Sequence, residues 1–132
     1  YKKAIAINSN YAPALTNLGN IELKSGHKQE ALSLLIKATK ADPQLVPAWI
    51  NLASNYFQLG KIQTAEGSIR KAIELNPNLF NSHFLLAKIL IEQTKLKEAE
   101  QSLLKTIELN PTFSQAHLSL GAVLKELGQL QK

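Results

Sequence analysis

The 132-residue sequence contains neither cysteine nor methionine. The lack of cysteine excludes a disulfide framework, thiolate catalysis and a Cys-ligated zinc or iron–sulfur site. No apolar run approaches the ~20 residues that a membrane-spanning helix needs, and no secretion signal is visible at the N-terminus. The chain opens at Tyr1 rather than at a methionine. We therefore expect a processed product or a fragment of a longer protein, located in the cytoplasm without membrane insertion.

The sequence does contain a repeat with a period of 34 residues. An Asx-Pro pair recurs at this step, as Asp42-Pro43, Asn76-Pro77 and Asn110-Pro111. Other columns at the same step hold Gly26, Gly60 and Gly128, then Ala31, Ala65 and Ala99, then Leu18, Leu52, Leu86 and Leu120. Thr94 interrupts the glycine column. Because so many columns keep one spacing, the sequence predicts a repeat architecture.

Each period has the pattern helix, short turn, helix. In the middle period, Trp49, Leu52, Ala53 and Tyr56 recur at the i, i+3, i+4, i+7 spacing of one helical face. Gly60 supplies a residue that tolerates positive φ after that helix. The pattern predicts eight helices and no strand, with helices near 1–8, 13–25, 29–41, 47–59, 63–75, 81–93, 97–109 and 115–127. Small residues expected to let paired helices approach closely are Gly19, Ala53, Ala87 and Gly121.

These features resemble the tetratricopeptide repeat family. The residues that carry the match, at that family's signature spacing, are Trp49, Leu52, Ala53, Tyr56, Gly60, Ala65, Ile69, Ala72 and Pro77. The resemblance implies an all-α fold, a right-handed α-solenoid of helix–turn–helix repeats. On this resemblance, residues 1–132 form a single array. The array comprises a partial repeat at 1–11, full repeats at 12–45, 46–79 and 80–113, and a partial repeat at 114–132.

Neither end of this array carries an evident cap. Stacked repeats bury their faces only against neighbours, so arrays end in polar capping helices. The last predicted helix still carries Leu118, Val123 and Leu124. We therefore expect that the chain was cut from a longer array, the alternative being an array that ends here. Head-to-tail self-association of the fragment is a further hypothesis.

The sequence offers little for catalysis. His27 falls in a predicted turn, while His83 and His117 share one column that has no carboxylate column beside it. No nucleophile, zinc-protease, phosphate-loop or dinucleotide motif occurs. The net charge is +5, but the lysines are dispersed over second helices and turns, and aromatic residues make up only 6%. We expect no enzymatic activity, no metal, no cofactor and no nucleic-acid partner.

The resemblance implies that first helices line a concave groove that binds extended peptides. When the family's groove columns are carried over to this sequence, the groove residues are Asn17, Asn20, Lys24, Ile50, Asn51, Ser54, Phe57, Phe84, Lys88 and Ile91. Thr16, Leu23 and Leu85 fall on the same predicted surface. An apolar strip, which could seat an amphipathic partner, is expected from Ile50, Phe57, Phe84, Leu85 and Ile91.

Asn17 and Asn51 occupy one column of this groove. An amide can both donate to and accept from a peptide backbone. The column resembles the asparagine ladder of O-linked N-acetylglucosamine transferases, but Leu85 and Ser119 break it. Hydrogen bonding between helices of the array is the alternative reading of both asparagines.

Another binding mode of the family, the carboxylate clamp, is matched only in part. Asn20 and Asn51 match its two amides. Thr16, Asn81 and Leu85 stand in its cationic columns, so the main attraction for a terminal carboxylate is missing.

The predicted function is a protein–protein interaction scaffold that binds a peptide or partner segment in its concave groove. One alternative is a substrate-presenting region of a larger enzyme, such as a glycosyltransferase. The other is a passive spacer or self-association element. The regularity of the repeats resembles that of bacterial arrays.

Overall fold

The computed structural model describes residues 11–130. That part of the chain forms seven α-helices and contains no strand. The helices are α1 (Ala12–Lys24), α2 (Lys28–Ala41), α3 (Val46–Gln58), α4 (Ile62–Leu75), α5 (Phe80–Glu92), α6 (Leu96–Leu109) and α7 (Ser114–Leu130). The all-α helical-repeat prediction is therefore confirmed. The helix predicted near residues 1–8 lies outside the described residues. No described helix has the length and apolar character needed to cross a membrane.

The predicted bounds agree with α1 to α6 to within one residue, but α7 runs through Gly128 to Leu130. Gly26 and Gly60 have φ of 87° and 80°, where the chain reverses into a second helix. Gly128 therefore differs from the other glycines of its column, because it lies inside a helix. In the described part of the chain no further helix folds back on α7, so no packing favours a reversal at Gly128.

In each of three first helices, the nitrogen of an aromatic side-chain ring contacts a carbonyl oxygen in the turn before the helix. Trp49 Nε1–H donates to the Pro43 carbonyl oxygen at 2.9 Å. His83 Nε2 lies 2.8 Å from the Pro77 carbonyl oxygen, and His117 Nε2 makes the same contact at 2.8 Å with Pro111. Since a carbonyl oxygen only accepts, both histidines carry a proton on Nε2. Tryptophan and histidine make the same contact in this column, because each presents a ring N–H.

The described residues fall into two compact units, the first ending at Leu75 and the second beginning at Asn76. In the first unit α1 pairs with α2, α3 pairs with α4, and α3 also packs on α1 and α2. A β-carbon placed on Gly19 would lie only 2.8 Å from Leu35 Cγ. This confirms that Gly19 permits a close helix approach. A single right-handed array over residues 1–132 stays a prediction.

In the second unit α6 packs on both α5 and α7. Its core joins Ala87, Leu96, Leu103, Ala116 and Val123, which come from all three helices. Phe113 lies edge-on to two aromatic rings of α5, with centroid distances of 5.1 Å to Phe80 and 4.9 Å to Phe84. The core therefore ties α5, α6 and the loop before α7 together.

Gly121 was expected at a close helix contact, and that prediction is wrong for the described residues. A β-carbon at Gly121 would meet nothing within 4 Å. The physical reason is that, within residues 11–130, no other helix approaches α7 at this position.

The three second helices bury one shared triplet of columns. Its residues, all fully buried, are Ala31, Leu35 and Ala38 in α2, Ala65, Ile69 and Ala72 in α4, and Ala99, Leu103 and Thr106 in α6. The spacing i, i+4, i+7 places each triplet on one helical face. A small residue, a branched aliphatic and a second small residue thus form the packing face of every described second helix.

Candidate functional site

We use the name amide strip for four polar residues that lie on two packed helices of the first unit. It consists of Asn17 and Asn20 on α1 and Asn51 and Ser54 on α3. On each helix the two residues are spaced i, i+3 and so share a face. The two helices pack directly on each other, with Asn17 and Asn51 in one repeat column. Asn17 is exposed and the other three are half-buried, so all four can be reached from solvent.

Among the described residues, no hydrogen bond engages the side-chain amides of Asn17, Asn20 or Asn51. Ser54 Oγ accepts only a long contact of 3.5 Å from the Nε2 of Gln58. Within residues 11–130 the strip therefore retains donors and acceptors for a ligand, and the described helices make no hydrogen bond to the amides of Asn17 and Asn51.

The amide that does bond between helices is one that the sequence reasoning missed. Asn55 is fully buried in α3, and its Nδ2–H donates to the Lys28 carbonyl oxygen of α2 at 3.1 Å. Its Oδ1 is buried without a partner. The signal was present in the repeat, because the other residues of this column, Ile21, Ile89 and Val123, are all branched aliphatics.

The remaining predicted residues of the first unit lie on the same two helices as the amide strip. Lys24 is exposed in the last turn of α1, and Ile50 and Phe57 of α3 are half-buried. Two neighbours leave the predicted surface. Thr16 is buried with its hydroxyl donating to the Ala12 carbonyl oxygen at 2.8 Å, and Leu23 is also buried.

On the second unit, Phe84, Lys88 and Ile91 lie on α5. Lys88 Nζ stands 5.3 Å from the centroid of the Phe84 ring, within cation–π range. Phe84 and Ile91 pack against the core of this unit. Their apolar surface is therefore already engaged in part by the fold.

Leu85 was expected to line the apolar strip, and that expectation is wrong, because Leu85 is only 6% exposed. It stands in the column of Asn17 and Asn51. Burial of an aliphatic side chain against its neighbours lowers the free energy of the fold, whereas a buried amide there would need hydrogen-bond partners. At Leu85 the column therefore changes in residue type, from amide to aliphatic, and also in environment, from accessible to buried.

The three histidines all have local partners. His27 Nδ1–H donates to Glu22 Oε2 at 2.8 Å across the α1–α2 turn, and the rings of His83 and His117 bond the proline carbonyls. In the part of the chain that the structure describes, no three His, Asp or Glu residues converge as metal ligands would. What the surface offers chemically is hydrogen bonding by amides beside half-buried apolar groups.

Comparison with models of known protein families shows which family the chain matches. The family model described as "Tetratricopeptide repeat" matches residues 1–33 and 102–132. The model for subunit 3 of the anaphase-promoting complex, cyclosome, matches residues 49–106. The chain belongs to the tetratricopeptide repeat family. A search of curated protein sequences found no match.

Several solved structures are similar to this chain over most of its length. MamA is 26% identical with a TM-score of 0.91, covering 97% of this chain and 75% of its own. The first repeat domain of Spaghetti (RPAP3), bound to the HSP90 peptide SRMEEVD, is 29% identical with a TM-score of 0.86, covering 89% and 95%. The corresponding human RPAP3 domain is 28% identical with a TM-score of 0.86, covering 91% and 94%.

This tetratricopeptide repeat chain departs from the signature most in two columns, since Glu22, Leu90 and Leu124 stand in the column of Tyr56, and Leu15, His83 and His117 stand in the column of Trp49. His83 and His117 preserve the ring N–H with which Trp49 bonds the preceding turn. Leu15 has no such donor and is instead buried in a core with Ala38 and Ala48. The column of Trp49 therefore serves the fold by two different means, a hydrogen bond or apolar packing.

Proposed function

We propose that the chain is a non-catalytic protein-interaction module that binds an extended segment of a partner protein along the amide strip. The observation that carries the proposal is the pair Asn17 and Asn51, two amides in one column of packed helices whose hydrogen-bonding groups are not used by the described fold. The likeness to a repeat domain bound to a peptide supports a peptide as the ligand.

The strip suits the backbone of the ligand rather than its side chains. Each amide can donate to a peptide carbonyl and accept from a peptide N–H, and these groups recur in every extended segment whatever its sequence. Ile50 and Phe57 beside the strip provide apolar contact for the ligand's side chains. We therefore propose broad sequence tolerance with strict dependence on the ligand backbone.

An internal segment suits the strip better than a chain terminus. The three columns that would hold cations for a terminal carboxylate carry Thr16, Asn81 and Leu85. Thr16 and Leu85 are buried, and none of the three can be positively charged. Without a charged donor a carboxylate loses its strongest hydrogen bonds.

The test begins with a peptide selected for binding from a random extended library. Asn17→Ala/Asn51→Ala removes two side-chain hydrogen bonds of about 0.5–1.5 kcal/mol each, so affinity should fall by between about five-fold and about 150-fold. Gln63→Ala, an exposed amide on α4, is the matched control and should change affinity little. Binding is measured by fluorescence anisotropy, with circular dichroism checking that each variant keeps its helices.

A second arm tests backbone recognition directly. N-methylation of single peptide bonds in the ligand should weaken binding, whereas exchange of single ligand side chains should matter less. If the double variant binds as tightly as the parent chain, the amide strip is not the binding surface and the proposal fails.

The same asparagine column favours one second candidate, a substrate-presenting region of a larger enzyme such as a glycosyltransferase. This candidate predicts that the Asn17→Ala/Asn51→Ala change lowers modification of protein substrates by the full-length gene product. Turnover of small substrates by the same product would be unchanged. A passive spacer predicts no effect of the double variant in either assay.

A further inference from the structure

The solvent-facing side of α5 carries a lysine whose ammonium group lies over an aromatic ring. Lys88 is exposed, and its Nζ stands 5.3 Å from the centroid of the Phe84 ring, inside the roughly 6 Å limit of a cation–π contact. The two residues are four positions apart and therefore share one side of the helix. We call this pair the cation–ring site.

The ring of the cation–ring site is fixed by packing on its other sides. Phe84 packs against the core of the second unit. Phe113 lies edge-on to it, with ring centroids 4.9 Å apart and an angle of 82° between the ring planes. Because a closely packed ring keeps one orientation, it gives the lysine stem a defined surface to lie on. Lys88 then has less side-chain freedom to lose when a ligand binds, which favours binding.

The helical repeat itself does not require this pair. In the other repeats the same two columns hold neither a charged nor an aromatic residue. Those residues are Thr16, Ile50 and Leu118 in the column of Phe84, and Asn20, Ser54 and Ala122 in the column of Lys88. The cation–ring site is therefore particular to α5 and is not part of what makes the helices stack.

Both helices that follow α5 are present in the described structure. Helix α6 packs on α5 and on α7, and Phe113, in the loop before α7, contacts the ring of Phe84. With these neighbours in place Lys88 is still exposed and Phe84 is still half-buried. The exposed side of the pair is therefore not a packing face that the next helix of its own repeat covers.

The groups around Lys88 indicate the class of ligand. An ammonium group attracts a carboxylate, and the half-buried Phe84 and Ile91 provide apolar surface on the two sides of it along the helix. Glu92 stands four positions after Lys88, but a surface ion pair at that spacing is weak, so a ligand carboxylate can replace it. The net charge of +5 also favours the approach of an anionic segment.

We propose that the cation–ring site binds an acidic side chain that is flanked by apolar residues in a segment of a partner protein. The ligand carboxylate pairs with Lys88 Nζ, and the apolar neighbours of the acidic residue contact Phe84 and Ile91. The site lies on the second unit and shares no residue with the amide strip, so the inference does not rest on the proposed function.

The experiment titrates the isotope-labelled full chain with short peptides and follows its backbone amide signals by NMR. The peptides are acetylated and amidated, and they differ only in one central residue between two leucines, which is Glu, Gln or Lys. The Glu peptide should bind about three- to ten-fold more tightly than the Gln peptide, and the Lys peptide should bind most weakly. High salt should reduce the preference for Glu.

Four variants then locate the site. Lys88→Met keeps a long apolar side chain but removes the charge, so the preference for the Glu peptide over the Gln peptide should disappear. Lys88→Arg keeps a cation that stacks on aromatic rings and should retain it. Lys97→Met, at an exposed lysine of α6, is the matched control and should retain it too. Asn17→Ala/Asn51→Ala should also retain it, which separates this test from that of the amide strip.

Three results would overturn the proposal. The first is equal affinity for the Glu and Gln peptides. The second is a preference for the Glu peptide that survives Lys88→Met, while the amide spectrum shows the fold intact. The third is a set of signal changes confined to α1 and α3, which would assign the peptide to the amide strip instead.

Discussion

The middle full repeat, residues 46–79, and the next one, residues 80–113, use the same columns for different chemistry. Where the middle repeat has Asn51, the next has the buried Leu85, and the fully buried Asn55 is matched by the fully buried Ile89. The helix positions correspond nevertheless, residue for residue. The comparison teaches that the columns of small residues are kept in both repeats, while other columns are free to carry either hydrogen bonds or apolar packing.

The largest expected effect comes from exchanging residues in the Asn55/Ile89 column. Ile89→Asn removes a fully buried aliphatic group and buries an amide, so the free energy of unfolding should fall by about 3 kcal/mol or more. Asn55→Ile loses one hydrogen bond but also removes the unpaired Oδ1. It should therefore stay within about 1 kcal/mol of the parent chain. Urea unfolding followed by circular dichroism measures both.

Equal losses in the two directions would contradict this account. They would mean that each column residue is fitted to its own repeat and that the columns are not interchangeable sites.

A smaller effect should appear at the turns. Thr94 has φ of 58°, in the column where Gly60 has φ of 80°. A β-branched residue in this left-handed region costs about 1–2 kcal/mol, so Thr94→Gly should raise the free energy of unfolding by about 1 kcal/mol. Gly60→Thr should lower it by a similar amount. A β-carbon at Gly60 meets nothing within 4 Å, so a clash of that atom does not contribute to the loss. Thermal and urea unfolding check both signs, and a stabilising Gly60→Thr would refute the argument.

The last prediction, similar in size to that at the turns, concerns the ring donors. His83→Phe keeps an aromatic ring but loses the N–H that bonds the Pro77 carbonyl, so it should cost about 1 kcal/mol. His83→Trp supplies a ring N–H, as Trp49 does, and should stay within about 0.5 kcal/mol of the parent chain. If both variants lose equal stability in urea, ring packing rather than the hydrogen bond matters at this column.

Much of this fold could be predicted from the sequence because the constant 34-residue period fixes where each helix begins and ends relative to the others along the chain. The period, the prolines and the glycines fixed six helices to within one residue. The same columns failed at Gly121 and Gly128, because a column describes a residue's role only where the neighbouring helix that creates the role is present.

The candidate site was less predictable for a different reason. Periodicity indicates on which face a side chain lies, but it does not indicate how deeply it is buried. Leu85 and Asn51 share a column, yet Leu85 is buried whereas Asn51 is only half-buried and stays accessible. Asn55 shows the converse, since a polar residue beside the predicted groove turned out to bond between helices in the interior.

The bonds from Trp49, His83 and His117 have a consequence for the order of folding events. Each joins residues only six positions apart. Loops of about ten residues close within roughly 10–100 ns, far sooner than distant segments of a chain find each other. A newly made first helix can thus be oriented by the turn before it while the rest of its repeat is still unfolded, so this architecture can assemble one junction at a time.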